Sequence, residues 1–142
     1  MKIETNKNAP AWHEEHLLIE APAERVYATL ADIRHWALWQ SGVSKTKVHG
    51  KIAPGTSFDW KAGGFSIRSV IHTAAAPLEF GWTGNMLWLK AVHNWTFYPE
   101  GNQTRVVVNE SLEGFLAGLM QKTLAKGMKK NLLELKTEAE RI

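Results

Sequence analysis

Near the C-terminus, Leu116, Leu119, Met120, Leu124, Met128, Leu132 and Leu135 recur at three- and four-residue steps. That spacing gathers side chains on one face of an α-helix. Lys122, Lys126, Lys129 and Lys130 mostly take the remaining directions. The pattern predicts a helix from about Phe115 to Glu140. A long helix with one apolar face needs an apolar surface to lie on. The region before it supplies one: it reads as strands and holds Trp60, Trp82, Trp88 and Trp95, four of the seven tryptophans. A helix laid across a curved antiparallel sheet buries one face of each. Large rings between the two layers leave a gap, and the gap is where function is expected.

The first strand reads as Trp12 to Glu20, with Leu17 and Ile19 on one face, and Pro22 ends it. Proline also suits the first turn of a helix, where its missing N–H costs nothing. Val26, Tyr27, Leu30 and Ile33 have helical spacing from there. Asp32 is placed to cap a second short helix carrying Ile33, Trp36 and Trp39. Turn signals follow at Gly50, Pro54-Gly55, Gly63-Gly64, Pro77, Gly84-Asn85 and Pro99 to Asn102. Between them lie six more strands: Val43–His49, Thr56–Lys61, Phe65–Thr73, Leu78–Thr83, Leu87–Tyr98 and Thr104–Glu113. Phe58/Trp60 and Phe80/Trp82 alternate with polar neighbours, as half-buried strands do. No linker or repeat divides the chain, so residues 1–142 read as one domain. Strand, two helices, six strands and a long helix make an α+β fold with the helix on one face of the sheet.

A chain of 142 residues suits a single core. There is no cysteine, which excludes disulfides and thiol catalysis. Met1 to Asn8 is charged and polar, unlike a signal peptide. No apolar run approaches the ~20 residues of a membrane span. A cytoplasmic protein without stable membrane insertion is the expectation. The 17 basic side chains barely exceed the 14 acidic ones, and the signs are interspersed, so nucleic acid is not an expected partner.

The segments IEAPAERVYATLADIRHWALW (Ile19–Trp39), GTSFDWKAGGFSIRSVI (Gly55–Ile71) and HNWTFYPEGNQTRVVVNESLEG (His93–Gly114) resemble the opening, the second hairpin and the last hairpin of the START-related helix-grip superfamily. The likeness is to its polyketide cyclase/dehydrase (SRPBCC) branch and runs from about Trp12 onward. It implies a seven-stranded curved antiparallel sheet wrapped around the long C-terminal helix, with two short helices after the first strand. It also implies an internal cavity for an apolar or aromatic small molecule, lipid- or polyketide-like, and no metal or cofactor. Because the superfamily spans carriers, ligand binders and cyclases, fold alone does not decide among them.

Candidate residues follow from strand parity. Leu87, Leu89, Ala91, His93, Trp95 and Phe97 share one face, as do Val106, Val108, Glu110 and Leu112 on the partner strand. A four-residue loop, Pro99 to Asn102, pairs Tyr98 with Gln103 and His93 with Val108. Glu110 is then the diagonal neighbour of His93, about 7–8 Å away at the backbone. An inward His and Glu in an apolar cavity can trade protons, as catalytic acid and base; alternatively they only satisfy each other or nearby backbone. Phe58, Trp60, Phe80, Trp82, Trp95 and Phe97 are candidates to line the cavity, with plain core packing as the alternative. Trp36 and Trp39 fit either the rim of its entrance or a satellite core cluster. From the long helix, Met120, Leu124 and Met128 face the same space, with Thr123 and Asn131 at the stripe's edge. Gly118 and Gly127 leave room for a close approach, a bend or a ligand. Lys126, Lys129 and Lys130 read as a solvated helix face, with attraction to an anionic membrane as the alternative. His13 to His16 has the wrong spacing for a zinc-protease motif and lies on a strand, and no other metal constellation emerges. The leading expectation is a monomer or homodimer that binds a hydrophobic small molecule. A cyclase or dehydratase using His93 and Glu110, and a protein-interaction module, are the alternatives.

Overall fold

The computed structural model describes residues 1–141. Seven strands form one sheet: β1 (Ala11–Ile19), β2 (Val43–Val48), β3 (Ser57–Ala62), β4 (Phe65–Ala75), β5 (Glu79–Met86), β6 (Leu89–Glu100) and β7 (Gln103–Gly114). Their order is β1-β7-β6-β5-β4-β3-β2, and every neighbouring pair is antiparallel. β2 to β7 is thus a meander, and β1 closes beside its last strand. Two short helices, α1 (Ala23–Ala31) and α2 (Trp36–Trp39), follow β1, joined by a 3₁₀ turn. The long helix α3 (Gln121–Glu140) lies over the concave side of the sheet and packs mainly against β1 and α1. This is the expected helix-grip arrangement. Leu124, Met128, Leu132, Leu135 and Ala139 are the buried residues of α3, each of the larger ones worth about 1.5–3 kcal/mol of burial.

Several boundaries differ from expectation. The long helix starts at Gln121, after a 3₁₀ turn over Ala117–Met120. Leu116 has left-handed backbone, with φ of 64°, and that breaks the periodic run. Leu116 and Leu119 are consequently exposed and leave the buried stripe. Asp32 holds the N-cap position of the 3₁₀ turn Ile33–His35, but its side chain makes no cap bond; its carboxylate lies 2.7 Å from Nδ1 of His35. Gly84-Asn85 is not a turn. β5 continues through both to Met86, and the turn is Leu87-Trp88. A side chain at Gly84 would press on Ile67, its Cβ 3.3 Å from Cγ2, so the glycine serves close packing between strands. Gly63-Gly64 does form a two-residue hairpin turn, both residues having positive φ.

The loop between β6 and β7 is Gly101-Asn102, two residues shorter than expected, with Glu100 opposite Gln103. A two-residue slip keeps every side chain on its own face but changes its partner. His93 therefore stands directly opposite Glu110, not diagonal to it.

The N-terminal segment straps the convex face. Ile3 N–H donates to Nδ1 of His72 (3.2 Å), and Nδ2 of Asn94 donates back to the Ile3 carbonyl (2.8 Å). With Nδ1 accepting, Nε2 carries the proton and donates to Asn94 Oδ1 at 2.8 Å. Gly81 lies between the two strands, and a Cβ there would sit 2.6 Å from both Asn94 Oδ1 and His72 Cε1. Only glycine leaves room for this bond. Burial holds the His72 pKa below its usual value, with the Asn94 bond opposing.

Candidate functional site

A cavity of about 370 Å³ lies between α3 and the sheet, within the size range of small-molecule sites. Its sheet side is built from Trp60, Ile67, Trp82, Ala91 and Leu112, its helix side from Met120, Leu124 and Met128. The polar groups are few. Ser69, His93 and Glu110 come from the sheet, and Thr123, Lys130 and Asn131 from the helix. Gly127 also borders the space, and a Cβ added there would meet nothing within 4 Å. Exposed Gly63 and Phe65 stand at its edge with Lys130.

The polar centre is a row across the sheet. Trp82 pairs with His93, His93 with Glu110, and Glu110 with His13. Directly opposed residues share a face, so all four point inward. Nδ1 of His93 lies 2.9 Å from Oε1 of Glu110, and both side chains are largely buried. The imidazole is held between two indoles, 4.5 Å from Trp82 with 28° between planes and 5.6 Å from Trp95 with 8°. Its Nε2 is buried with no partner, as is Nε1 of Trp95. His13 lies 2.7 Å from Glu15 on the same face of β1. Parity could have found this second pair: Leu17 and Ile19 face inward, so Glu15 and His13 do too.

The aromatics divide into two sets. Trp60 and Trp82 border the cavity. Phe58, Phe80 and Phe97 do not; they are no more than 1% exposed and pack edge-on against their neighbours. Trp95 is likewise outside the main cavity, and borders only a small void with Trp36, Trp39 and Gln40. Trp36 is core rather than rim. It is 1% exposed, meets Phe58, Trp60 and Trp82 at 5.1–5.6 Å, and donates its Nε1–H to the Leu30 carbonyl. The reason is α2, whose Trp36 fills the space over these rings. Trp39 is half-buried and borders an outer groove beside Leu38 and Leu133. Ser69 was not singled out from sequence. It is fully buried and accepts the Trp60 Nε1–H at 3.0 Å, fixing that ring at the cavity wall.

Among the described residues, no group of three His, Cys, Asp or Glu could hold a metal ion. No helix among the described residues is long and apolar enough to cross a membrane.

The fold recurs widely. A hypothetical protein from Helicobacter pylori superposes with a TM-score of 0.83 at 15% identity, over 94% of this chain and 90% of that one. A START superfamily protein from Mycobacterium smegmatis gives 0.81 at 13% identity, over 91% and 97%. The Zhui aromatase/cyclase from Streptomyces sp. R1128 gives 0.80 at 15% identity, over 92% and 93%. At such identities the likeness speaks for fold alone. A comparison with curated proteins gives no match. The family described as "Polyketide cyclase / dehydrase and lipid transport" matches residues 13–140. That span takes in the whole sheet except the first two residues of β1, the two short helices and α3, and the chain belongs to this family.

Proposed function

We propose that the protein binds a hydrophobic or aromatic small molecule, lipid- or polyketide-like, in the cavity between α3 and the sheet. One observation carries this reading: a space of about 370 Å³ walled by apolar side chains, with His93 and Glu110 as its inward polar pair. Apolar walls supply the binding free energy, and a few fixed polar groups orient the guest. The family's description, which names both cyclases and lipid transport, supports the class of ligand. Aromatic or fatty ligands should quench tryptophan emission with micromolar midpoints, about −8 kcal/mol. Native mass spectrometry of freshly purified protein should find a co-purified small molecule. Absence of saturable quenching by any apolar ligand would overturn the reading.

A second reading has its own observation. Glu110 holds Nδ1 of His93, two indoles fix the ring, and Nε2 is left without a partner. A carboxylate-oriented imidazole with a free nitrogen is the form of a general base. It suits the proton transfers of a cyclase or dehydratase. His93→Ala and Glu110→Gln separate the two readings. In an enzyme they abolish turnover while affinity is largely kept. In a binder they change which ligand is held, and no turnover exists to lose.

A further inference from the structure

One end of the sheet carries six large exposed apolar side chains on three tips that border one groove. Phe65 follows the β3–β4 turn, Leu87 and Trp88 form the β5–β6 turn, and Phe115, Leu116 and Leu119 lie on the connection from β7 to α3. Two of these leucines occupy left-handed backbone, Leu87 with φ of 51° and Leu116 with φ of 64°. Glycine or asparagine suits that conformation better than leucine. Nor does packing compensate, since Leu87 is 72% exposed and Leu116 52%. Residues that break a local rule with no gain to the fold point to a function outside it.

The tips also adjoin the cavity. Phe65, Met86 and Met120 border both the main cavity and the apolar groove between the tips. Whatever meets this end meets the cavity's edge. Its charge is mainly positive, with exposed Glu113 standing opposite Lys90 just behind the Phe115 tip. From Phe115 to Asn131 there are four lysines and no acidic residue. All four lysines are exposed. The lysines that do form ion pairs are Lys2 and Lys136, elsewhere in the molecule. Lys122 stands in the first turn of α3, three residues after Leu119, and Lys126 one turn further along.

We propose that this end docks on the surface of an anionic lipid bilayer, with the three tips entering the headgroup layer and Lys122 and Lys126 meeting lipid phosphates and carboxylates. The apolar tips supply the side chains that enter a headgroup layer, and the lysines beside them supply the charge that an anionic bilayer surface attracts. The unneutralised lysines select an anionic surface. Docking stands on the tips and the charge, and does not depend on what the cavity holds.

The full chain should co-sediment with vesicles of phosphatidylcholine and phosphatidylserine, less with phosphatidylcholine alone, and less again as salt is raised. Leu87→Asn combined with Leu116→Asn should weaken vesicle binding by at least about tenfold. The melting temperature should hold or rise, because asparagine tolerates the left-handed backbone. Lys122→Glu with Lys126→Glu should remove the preference for phosphatidylserine. The proposal fails if the wild-type chain binds neither vesicle, or if the leucine variant binds as well as wild type. It also fails if the wild-type chain is a dimer in solution that the leucine variant dissolves, since the tips would then cover a second copy. Quenching by a soluble aromatic ligand should be the same in wild type and leucine variant. Vesicle binding without any such quenching would defeat the cavity reading and leave docking standing.

Discussion

Gly127 offers a test in which stability and binding move in opposite directions. It lies inside α3, where glycine is about 1 kcal/mol less favourable than alanine. Gly127→Ala places its methyl group in open space, so the whole helix gain should appear. For a chain of this size about 1 kcal/mol corresponds to roughly 4 °C in melting temperature. Gly127→Leu keeps that gain, because leucine is nearly as good a helix former. It adds up to about 1.5 kcal/mol if the side chain turns inward and is buried. The same leucine would occupy part of a space of about 370 Å³ and exclude a ligand that uses it. Thermal unfolding followed by circular dichroism, beside a tryptophan-quenching titration, reads both effects. The leucine variant should melt higher and bind at least about tenfold more weakly, a loss of about 1.4 kcal/mol. A lower melting temperature would show that the space beside Gly127 is not free. A melting temperature above that of Gly127→Ala, which marks an inward and buried leucine, with unchanged affinity would show that the ligand does not occupy this part of the cavity.

The convex-face strap predicts a pH dependence. Because the folded His72 pKa lies below the usual 6.5, the unfolded chain takes up the proton first, and stability falls as pH drops below that value. The groups facing the ring are Asn94, Thr73 and the strap, with Lys2 and the N-terminal ammonium lowering its pKa and Glu4 raising it. Between about pH 8 and 5, wild type should lose more melting temperature than His72→Gln; equal slopes would remove His72 as the cause. In the core, Leu135→Ala should cost about 3 kcal/mol, since the residue is fully buried. Leu124→Ala should cost less, because Leu124 already has the cavity on one side; denaturant midpoints that reverse this order would place the open space elsewhere.

The sheet, the helix-grip order and the inward parity of His93 and Glu110 were legible because each rests on a period of two or of three to four. What failed was whatever depends on local chain length or on contact between distant segments. Loops of two and four residues between β6 and β7 both keep His93 and Glu110 inward, so alternation could not choose between opposite and diagonal. Phe58, Phe80 and Phe97 carry the same alternation signal as Trp60 and Trp82. Tyr27 arrives from α1 and covers Phe80 and Phe97, whereas Trp36 packs on Phe58 and on both cavity-lining tryptophans alike, and no alternation pattern encodes either contact. Leu116 and Leu119 kept the helical period without the helix, since period says nothing of the left-handed turn at Leu116.

The register of β6 and β7 bears directly on the choice between binder and enzyme. A diagonal pair would need extended side chains or a bridging water, and each residue would move independently. Direct opposition puts Nδ1 of His93 2.9 Å from the carboxylate, and stacking on Trp82 and Trp95 confines rotation of the ring. The row continues to His13 on β1, so Glu110 stands between two histidines in the sheet. Such an arrangement fixes the ring, with Nδ1 held on Glu110 and Nε2 buried without a partner. Under either proposed reading a guest reaches Nε2 only if the packing over it opens, so a structure with a bound ligand in which Nε2 stays buried and unpartnered would remove His93 both as an orienting contact and as a base.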